Sequence, residues 1–235
     1  NLSSRLPKNL GTVIVKHANP CGVSINKNKI KSYKEALECD PISAFGGVLS
    51  FNFKVNRKLA IELNKIFLEV IIANGFENDA LKILKKRKNI RLLLRGDLNI
   101  KSNFDFISNF NSFLYQSKDE KILDKNNFKV VSKIKPTKEM FKNLIFAFNV
   151  CRSVKSNAIV ITKGSKTIGI GSGQPSRIDS CKVAITKMNK FQKIDNYDGI
   201  IAASDAFFPF VDGIETLVQS GVSAVIQPSG SIRDK

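Results

Sequence analysis

The chain has 235 residues, of which 43% are hydrophobic and 25% charged, and this balance is typical of a globular protein rather than a disordered one. No apolar run approaches the roughly 20 residues that span a bilayer, and the first residues lack the apolar segment of a signal peptide, so we expect a cytoplasmic protein without membrane association. The net charge of +18 is compatible with nucleic-acid binding, with attraction of small polyanionic substrates, or with an A+T-rich coding sequence.

Strand-like and amphipathic runs alternate along the first half of the chain. The pattern predicts strands at GTVIVKH, GGVLSFNF, LEVIIA and RLLL, and helices at SYKEALECD, NRKLAIELNKIF and ENDALKILKKRKN. From about Ile100 to Asn127 the apolar spacing becomes irregular and turn residues are frequent. We therefore expect a connector near residues 100–130.

The second half continues this alternation, beginning with a predicted strand at FKVVS. A long helix should run from Pro136 to about Val154, because proline tolerates the first helical turn. We expect a hairpin of the strands SNAIVIT and TIGIGS, then a helix near SRIDSCKVAITKMNK, the strand GIIAAS, the helix GIETLVQSG and the strand VSAVIQ. This order predicts an α/β protein of two lobes, residues 1–130 with the connector and residues 131–235.

The four cysteines of the chain lie far apart, at positions 21, 39, 151 and 181. They form no CxxC pair, so neither a disulfide framework nor a zinc knuckle is indicated. The sequence therefore predicts reduced, mostly buried thiols and no zinc.

Several loop segments follow predicted strands: KHANPCG, DPISAFGG, KSNAIV, GIGSGQPSR, SDAFFPFVD and QPSGSIRD. Ligands bind at strand ends in open α/β sheets, so the polar residues of these segments are site candidates. GIGSGQPSR is not a dinucleotide fingerprint, because Gln174 stands where a third glycine is needed. Both GIGSGQPSR and QPSGSIRD are compatible with a simple turn or with ligand contact. In SDAFFPFVD, the phenylalanines suit a core, or a planar ligand oriented by Asp205 and Asp212.

The segment VIVKHANPCGVS holds the only histidine of the chain, His17, directly after Lys16. A protonated lysine beside a histidine favours the neutral imidazole, which can accept a proton, and the ammonium group can stabilise an oxyanion. Successive strand residues point to opposite faces, so both can serve one site only where the strand ends, and Ala-Asn-Pro-Cys-Gly supplies that break. A structural role for a lone histidine is the alternative.

Together, the segments KHANPCG, ECDPISAFGG, KSNAIV, GSGQPSRIDS, ASDAFFPF and QPSGSIRD resemble, in content and order, one enzyme family. This is the AICAR transformylase (formyltransferase) domain of the bifunctional purine-biosynthesis enzyme that also carries IMP cyclohydrolase. The resemblance covers almost the whole chain and is weakest near residues 100–130. It implies a cytidine-deaminase-like fold without the deaminase zinc, with mixed sheets flanked by helices. It also implies formyl transfer from 10-formyltetrahydrofolate to the 5-amino group of AICAR, giving FAICAR.

The resemblance implies a role for each matching residue. His17 would accept the proton, Lys16 would stabilise the transition state, and Asn157 would lie beside the reacting amine and formyl group. The positions implied to contact the nucleotide are Gly46, Glu69, Arg177 and Phe207. The positions implied on the folate side are Ile178, Asp212, Ser231 and Ile232. A potassium ion is implied near these segments, with Asp205 as a candidate ligand.

The chain also departs from the family's pattern. The family has an upstream Arg-Tyr-Gly segment that holds the nucleotide, a further C-terminal arginine and a cyclohydrolase domain, so we expect this chain to be a fragment without them. Val211 stands where many relatives have arginine, and Val154 replaces a hydroxyl ligand of the potassium ion seen in some relatives.

The resemblance implies a homodimer with sites at the subunit interface, and a basic cleft that suits the phosphate of AICAR and the polyglutamate tail of folates. Two other classes of function stay open. An inactive structural fragment would follow from the missing nucleotide-binding residues. A nucleic-acid-binding module would follow from the charge of +18, although the sequence shows no nucleic-acid-binding motif.

Overall fold

The computed structural model describes residues 1–96, 104–119, 123 and 125–232. The chain separates into two compact units, one formed by Asn1–Leu94 with Pro136–Lys235 and the other by Arg95–Lys135. Part of the predicted connector and the last residues of QPSGSIRD lie outside the described residues. All the candidate site residues belong to the larger unit.

Strands and helices alternate through most of the chain. The described strands are β1 (Gly11–Lys16), β2 (Asn19–Ile25), β3 (Gly47–Val55), β4 (Leu68–Phe76), β5 (Arg91–Leu94), β6 (Phe104–Asn109), β7 (Ser112–Ser117), β8 (Ile159–Lys163), β9 (Lys166–Gly171), β10 (Ile200–Ser204) and β11 (Ala224–Ile226). The described helices are α1 (Leu2–Arg5), α2 (Lys29–Cys39), α3 (Pro41–Ala44), α4 (Arg57–Leu63), α5 (Asn78–Leu84), α6 (Lys138–Cys151), α7 (Arg177–Phe191) and α8 (Asp212–Gln219).

Polar side chains set where the two longest helices begin. Thr137 accepts the backbone N–H of Met140 at the start of α6, and Ser176 accepts that of Asp179 at the start of α7. Each cap satisfies an N–H group that the helix itself leaves unpaired. The predicted long helix after Pro136 is confirmed, although it is shorter than expected.

The larger unit is built on one nine-stranded mixed sheet with the order β11-β10-β8-β9-β2-β1-β3-β4-β5. The hairpins β1–β2 and β8–β9 lie side by side at its antiparallel centre, whereas β3–β4–β5 and β10–β11 pair in parallel towards the two ends. Helices α4, α5 and α8 connect the parallel strands, because parallel neighbours need a crossover connection. The prediction of an α/β fold with a mixed sheet flanked by helices is confirmed.

Two clusters of buried residues contribute to the hydrophobic core of the larger unit. One is formed by buried residues between positions 14 and 84, and the other by buried residues between positions 159 and 222. Each cluster covers one half of the shared sheet. The division into lobes at residue 130 stays a prediction. No helix among the described residues has the length and apolarity needed to cross a bilayer.

The smaller unit contains a separate hairpin, β6–β7, which turns between Asn109 and Ser112. The side chains of both strands are exposed, and the sequence did not predict this hairpin within the connector. The predicted strand at FKVVS is wrong, since residues 128–132 are assigned to no strand and are mostly exposed. An extended segment needs a partner strand to satisfy its backbone groups, and none of the described strands pairs with this one.

Candidate active site

Lys16 and His17 lie at the tight turn between β1 and β2. Lys16 pairs with Asn19, so His17 and Ala18 form a two-residue turn, with φ angles of 47° and 63°. Positive φ at both central residues is typical of the type I′ turn, which matches the twist of hairpin strands. The strand therefore ends at the Lys-His pair as predicted, but Asn-Pro-Cys-Gly continues into β2 instead of forming a loop.

The ammonium group of Lys16 is held by the backbone of the DPISAFGG segment. Its Nζ donates to the carbonyl oxygens of Phe45 at 3.1 Å and Gly46 at 2.9 Å. Gly46 has a φ of +65°, and a Cβ at this position would lie 3.0 Å from Lys16 Nζ. Glycine thus permits both the left-handed backbone and the close approach of the lysine, and the fold brings these two candidate residues together.

Asn157, Arg177 and Asp205 form a hydrogen-bonded network across three segments. From the start of α7, Arg177 donates through Nη2 to Oδ1 of Asn157 at 2.8 Å and through Nη1 to Oγ of Ser204 at 2.8 Å. It also donates to the Asp205 carboxylate. The Arg177 side chain is only 11% exposed, so this carboxylate balances a charge that is largely removed from water.

The amide of Asn157 has a defined orientation in this network. Its Nδ2 donates to the carbonyl oxygens of Gln174 at 2.8 Å and Pro175 at 3.0 Å, while its Oδ1 accepts from Arg177. A guanidinium group can only donate and a carbonyl oxygen can only accept. The three partners therefore fix which end of the amide is the acceptor.

Asp205 is ionised and already has several donors. Burial by itself would raise its pKa, but hydrogen bonds from the Ser156 side chain, the Ala158 N–H and Arg177 hold the pKa of the carboxyl below its usual range. The guanidinium group beside it would repel a cation. Asp205 as placed here therefore does not fit the implied potassium ion.

A cleft of about 380 Å³ opens beside the network. Five of the candidate residues line it: Asn157, Arg177, Ile178, Phe207 and Asp212. They come from three separate segments, and Phe208, Phe210 and Pro209 add apolar walls. The cleft thus combines a flat apolar surface with a few oriented polar groups, which is the usual composition of a small-molecule site.

The QPSGSIRD segment packs next to the phenylalanine wall of this cleft. The backbone N–H of Phe208 donates to Oε1 of Gln227 at 2.9 Å, and a Cβ at Gly230 would lie 3.4 Å from the ring of Phe207. Ser231, which follows Gly230, is half-buried, whereas Ile232 is 97% exposed. Ser231 therefore lies close to the cleft wall, and the roles implied for both residues stay predictions.

Glu69 is exposed on β4, next to a break in the register between β3 and β4. The carbonyl oxygen of Phe67, two residues earlier, accepts the N–H of Gly46 at 2.9 Å. The start of β4 thus lies beside the Lys16–Gly46 contact. The nucleotide contact implied for Glu69 stays a prediction.

Sequence reasoning did not single out Asn19, although it belongs to the KHANPCG segment. Its Oδ1 accepts the backbone N–H of Lys155 at 2.9 Å, which joins the His17 turn to the loop before β8. A turn-forming residue gives no local signal of a contact 136 positions away.

The thiols of the chain are unsuited to nucleophilic chemistry. All four cysteines are free and buried, as predicted, and burial raises the pKa of Cys39 to about 12. A thiol must be deprotonated to act as a nucleophile or metal ligand. No cluster of three His, Cys, Asp or Glu side chains suited to a metal ion occurs within the described part of the chain, and the absence of zinc stays a prediction.

Comparison with known proteins gives consistent matches. A family model described as AICARFT/IMPCHase bienzyme matches residues 3–187. The bifunctional purine biosynthesis protein PurH of Acetivibrio thermocellus is 44% identical over 226 residues, which are 95% of this chain and 43% of that protein.

Two further relatives carry the same name. PurH of Aquifex aeolicus is 42% identical over 100% of this chain and 45% of that protein. PurH of Buchnera aphidicola is 48% identical over 95% of this chain and 43% of that protein. The chain therefore spans less than half the length of these curated relatives.

Proposed function

The chain belongs to the AICARFT/IMPCHase bienzyme family, and we propose that it carries the formyl-transfer site of such an enzyme. The reaction would move the formyl group of 10-formyltetrahydrofolate to the 5-amino group of AICAR, giving FAICAR in purine biosynthesis. The observation that carries the proposal is the single cleft that gathers five candidate residues from three segments.

His17 is proposed as the proton acceptor. The amine nitrogen of AICAR attacks the formyl carbon, the C=O electron pair moves to the oxygen, and the amine gives up a proton to the imidazole. The carbonyl then re-forms as N10 of the folate leaves and takes up a proton. This amine is electron-poor and a weak nucleophile, so removal of its proton by a positioned base assists the attack. The exposed His17 side chain at its turn is accessible to substrate.

Lys16 is proposed to stabilise the oxyanion that develops on the formyl oxygen. An ammonium group has three N–H donors, and two of them bind the carbonyl oxygens of Phe45 and Gly46. These bonds fix the position of Nζ before substrate arrives, and a third donor can then face the oxyanion. A donor that is already in position stabilises developing charge without reorganisation during the reaction.

Asn157 is proposed to orient the reacting amine. Its Oδ1 accepts one bond from Arg177, and a carbonyl oxygen has two lone pairs. The second lone pair can accept an N–H of the amine, which directs the nitrogen lone pair towards the formyl carbon. Phe207 supplies a ring of the cleft wall on which a planar substrate could stack.

The proposal is tested by following tetrahydrofolate formation from 10-formyltetrahydrofolate with the purified chain. We expect release that depends on added AICAR, with the reaction lacking AICAR as the control. Absence of AICAR-dependent release would contradict the proposal. Calorimetry with AICAR then distinguishes the alternative of an inactive structural fragment, for which we expect no tight binding.

Nucleic-acid binding is motivated by the charge alone. It would require affinity for oligonucleotides that falls steeply as the salt concentration rises. An oligonucleotide retarded by the chain at low salt, with no AICAR-dependent reaction, would favour this alternative over formyl transfer.

A further inference from the structure

We propose that Asn19 is a positioning residue, which holds the His17 turn against the loop that carries Asn157. The inference rests on the proposed function, because the relative position of these two groups matters for catalysis only if both act on one substrate.

The side-chain amide of Asn19 makes two hydrogen bonds of opposite kinds. Its Oδ1 accepts the backbone N–H of Lys155 at 2.9 Å, and its Nδ2 donates to the carbonyl oxygen of His17 at 3.4 Å. An amide can accept and donate at once, whereas a carboxylate only accepts and alanine does neither. Asn19 therefore stabilises the turn through a bond within the β1–β2 hairpin. Its second bond links this hairpin to the loop before β8.

The Asn19–Lys155 bond and the sheet contacts of β2 hold different ends of this strand. The contacts of β2 with β9 involve Val23 and Ser24, and Ile25 bonds to Ser165 just before β9. All three lie at the end of β2 that is remote from the turn. The Asn19–Lys155 bond lies at the other end, two residues after His17. Sheet pairing fixes the two hairpins side by side, and Asn19 fixes their ends at the site.

The Lys155 backbone leads directly into the network around Asn157. The carbonyl oxygen of Lys155 accepts the N–H of Gly173 at 2.8 Å, and the next residue, Gln174, accepts the N–H of Asn157 at 3.2 Å. The carbonyl oxygen of Gln174 also accepts Nδ2 of Asn157. A displacement of Lys155 relative to the turn would therefore shift Asn157 relative to His17.

The turn itself needs support from outside. His17 and Ala18 both adopt left-handed backbone conformations, which a side chain with a Cβ disfavours. Such conformations persist only where the surrounding structure holds them. The two hydrogen bonds of Asn19 contribute to holding this turn.

The first test compares kcat for Asn19→Ala, Asn19→Asp and the wild type. We expect kcat to fall about 10–100-fold in Asn19→Ala, because displacements near 1 Å have effects of this size, with little change in KM for AICAR. Asn19→Asp keeps the acceptor for the Lys155 N–H, so its kcat should fall much less than that of Asn19→Ala. An added carboxylate also favours a protonated imidazole, so kcat is compared at about pH 9, where a histidine is neutral.

The second test observes His17 directly. Since the chain has one histidine, its imidazole gives a single set of NMR signals. At about pH 9, we expect Asn19→Ala to change the chemical shifts of this set and to increase the mobility of the ring, and Asn19→Asp to change both less than Asn19→Ala does. Asn196→Ala is the matched control, because Asn196 is exposed and its side chain bonds to Asp198 two positions away.

Two results would overturn the inference. One is wild-type kcat in Asn19→Ala, and the other is a reduced kcat with unchanged His17 signals, which would assign Asn19 a different role. If Asn19→Ala does not fold, Asn19→Gln replaces it, since glutamine keeps both polar groups but carries them one methylene further, and the same changes are expected. If the wild type itself lacks AICAR-dependent activity, the proposed function fails, and the imidazole signals alone decide whether Asn19 holds the turn.

Discussion

Arg177 is the residue on which the candidate site converges. Its guanidinium group binds Asn157, Ser204 and Asp205 and lies 6.0 Å from the centre of the Phe208 ring. The same side chain lines the cleft. Arg177 is thus placed to organise the neighbouring side chains, in addition to the nucleotide contact that the sequence leads us to expect.

Replacing Arg177 with lysine should show whether activity depends on the positive charge alone or also on the planar shape of the guanidinium group. Lysine keeps the positive charge but lacks the planar fork that reaches several acceptors at once. Loss of one hydrogen bond to a charged group is worth about 1.5–3 kcal/mol, so we expect kcat/KM for AICAR to fall roughly 10–100-fold. Lys182→Ala, an exposed position on the same helix, is the control that should keep its activity. Wild-type kcat/KM in Arg177→Lys would contradict this role.

Asp205 should give the stability a pH dependence of known sign. Its pKa in the folded protein is lowered relative to about 3.9 in the unfolded chain. The unfolded state therefore binds more protons between the two values, and stability rises with pH across that window. Wild type should exceed Asp205→Asn in free energy of unfolding at pH 7, and the difference should shrink as the pH falls below about 4. Urea unfolding at several pH values measures this, and a difference independent of pH would show that the charge is not responsible.

At the level of elements, strand glycines determine how closely helices approach the sheet. A Cβ on Gly22 of β2 would lie 1.9 Å from the carbonyl oxygen of Ala36 in α2. A Cβ on Gly171 of β9 would lie 2.0 Å from that of Ser180 in α7. The close packing of α7 therefore explains why position 171 is a glycine. Gly173 has a positive φ of +67° and lies in the turn after β9.

Gly22→Ala should consequently disrupt the packing of α2 on β2. Overpacking of a core typically destabilises by about 1–3 kcal/mol and sometimes by more, and a contact with backbone cannot be relieved by a side-chain movement. We expect a loss at the upper end of this range or failure to fold, measured by chemical denaturation. Gly75→Ala is the matched control, since its Cβ would meet only the flexible Lys54 side chain at 3.3 Å. Equal stability of both variants would show that the contact with Ala36 is unimportant.

The local signals in the sequence predicted most elements but not their partners. Thr137 and Ser176 are residue types that cap helix N-termini, so the starts of α6 and α7 could be located from the sequence. Strand β2 was missed because Asn-Pro-Cys-Gly has the composition of a turn, and its pairing with β1 is visible only in three dimensions. The loop segments likewise supplied the candidate residues. Contacts such as Asn19 with Lys155 depend on the register of β2 against β9, which no local pattern encodes.

At the scale of the whole molecule, polar contacts between the two halves of the sheet reinforce the short pairing of β2 with β9. Lys187 of α7 forms an ion pair of 2.8 Å with the buried Asp40, and Lys166 of β9 forms one of 3.2 Å with Glu38. Both contacts join a residue of the first half of the chain to a residue of the second half. The homodimer implied by the sequence stays a prediction, as does the cytoplasmic location.

The rate of the His17→Ala variant tests most directly the proposal that the chain transfers a formyl group with His17 as the base. We expect kcat for AICAR-dependent tetrahydrofolate release to fall about 10²–10⁴-fold, the usual contribution of a positioned base. Because His17 is exposed at a surface turn, AICAR affinity and thermal stability should change little, which calorimetry and circular dichroism can verify. A folded His17→Ala variant that keeps near-wild-type kcat would contradict the account.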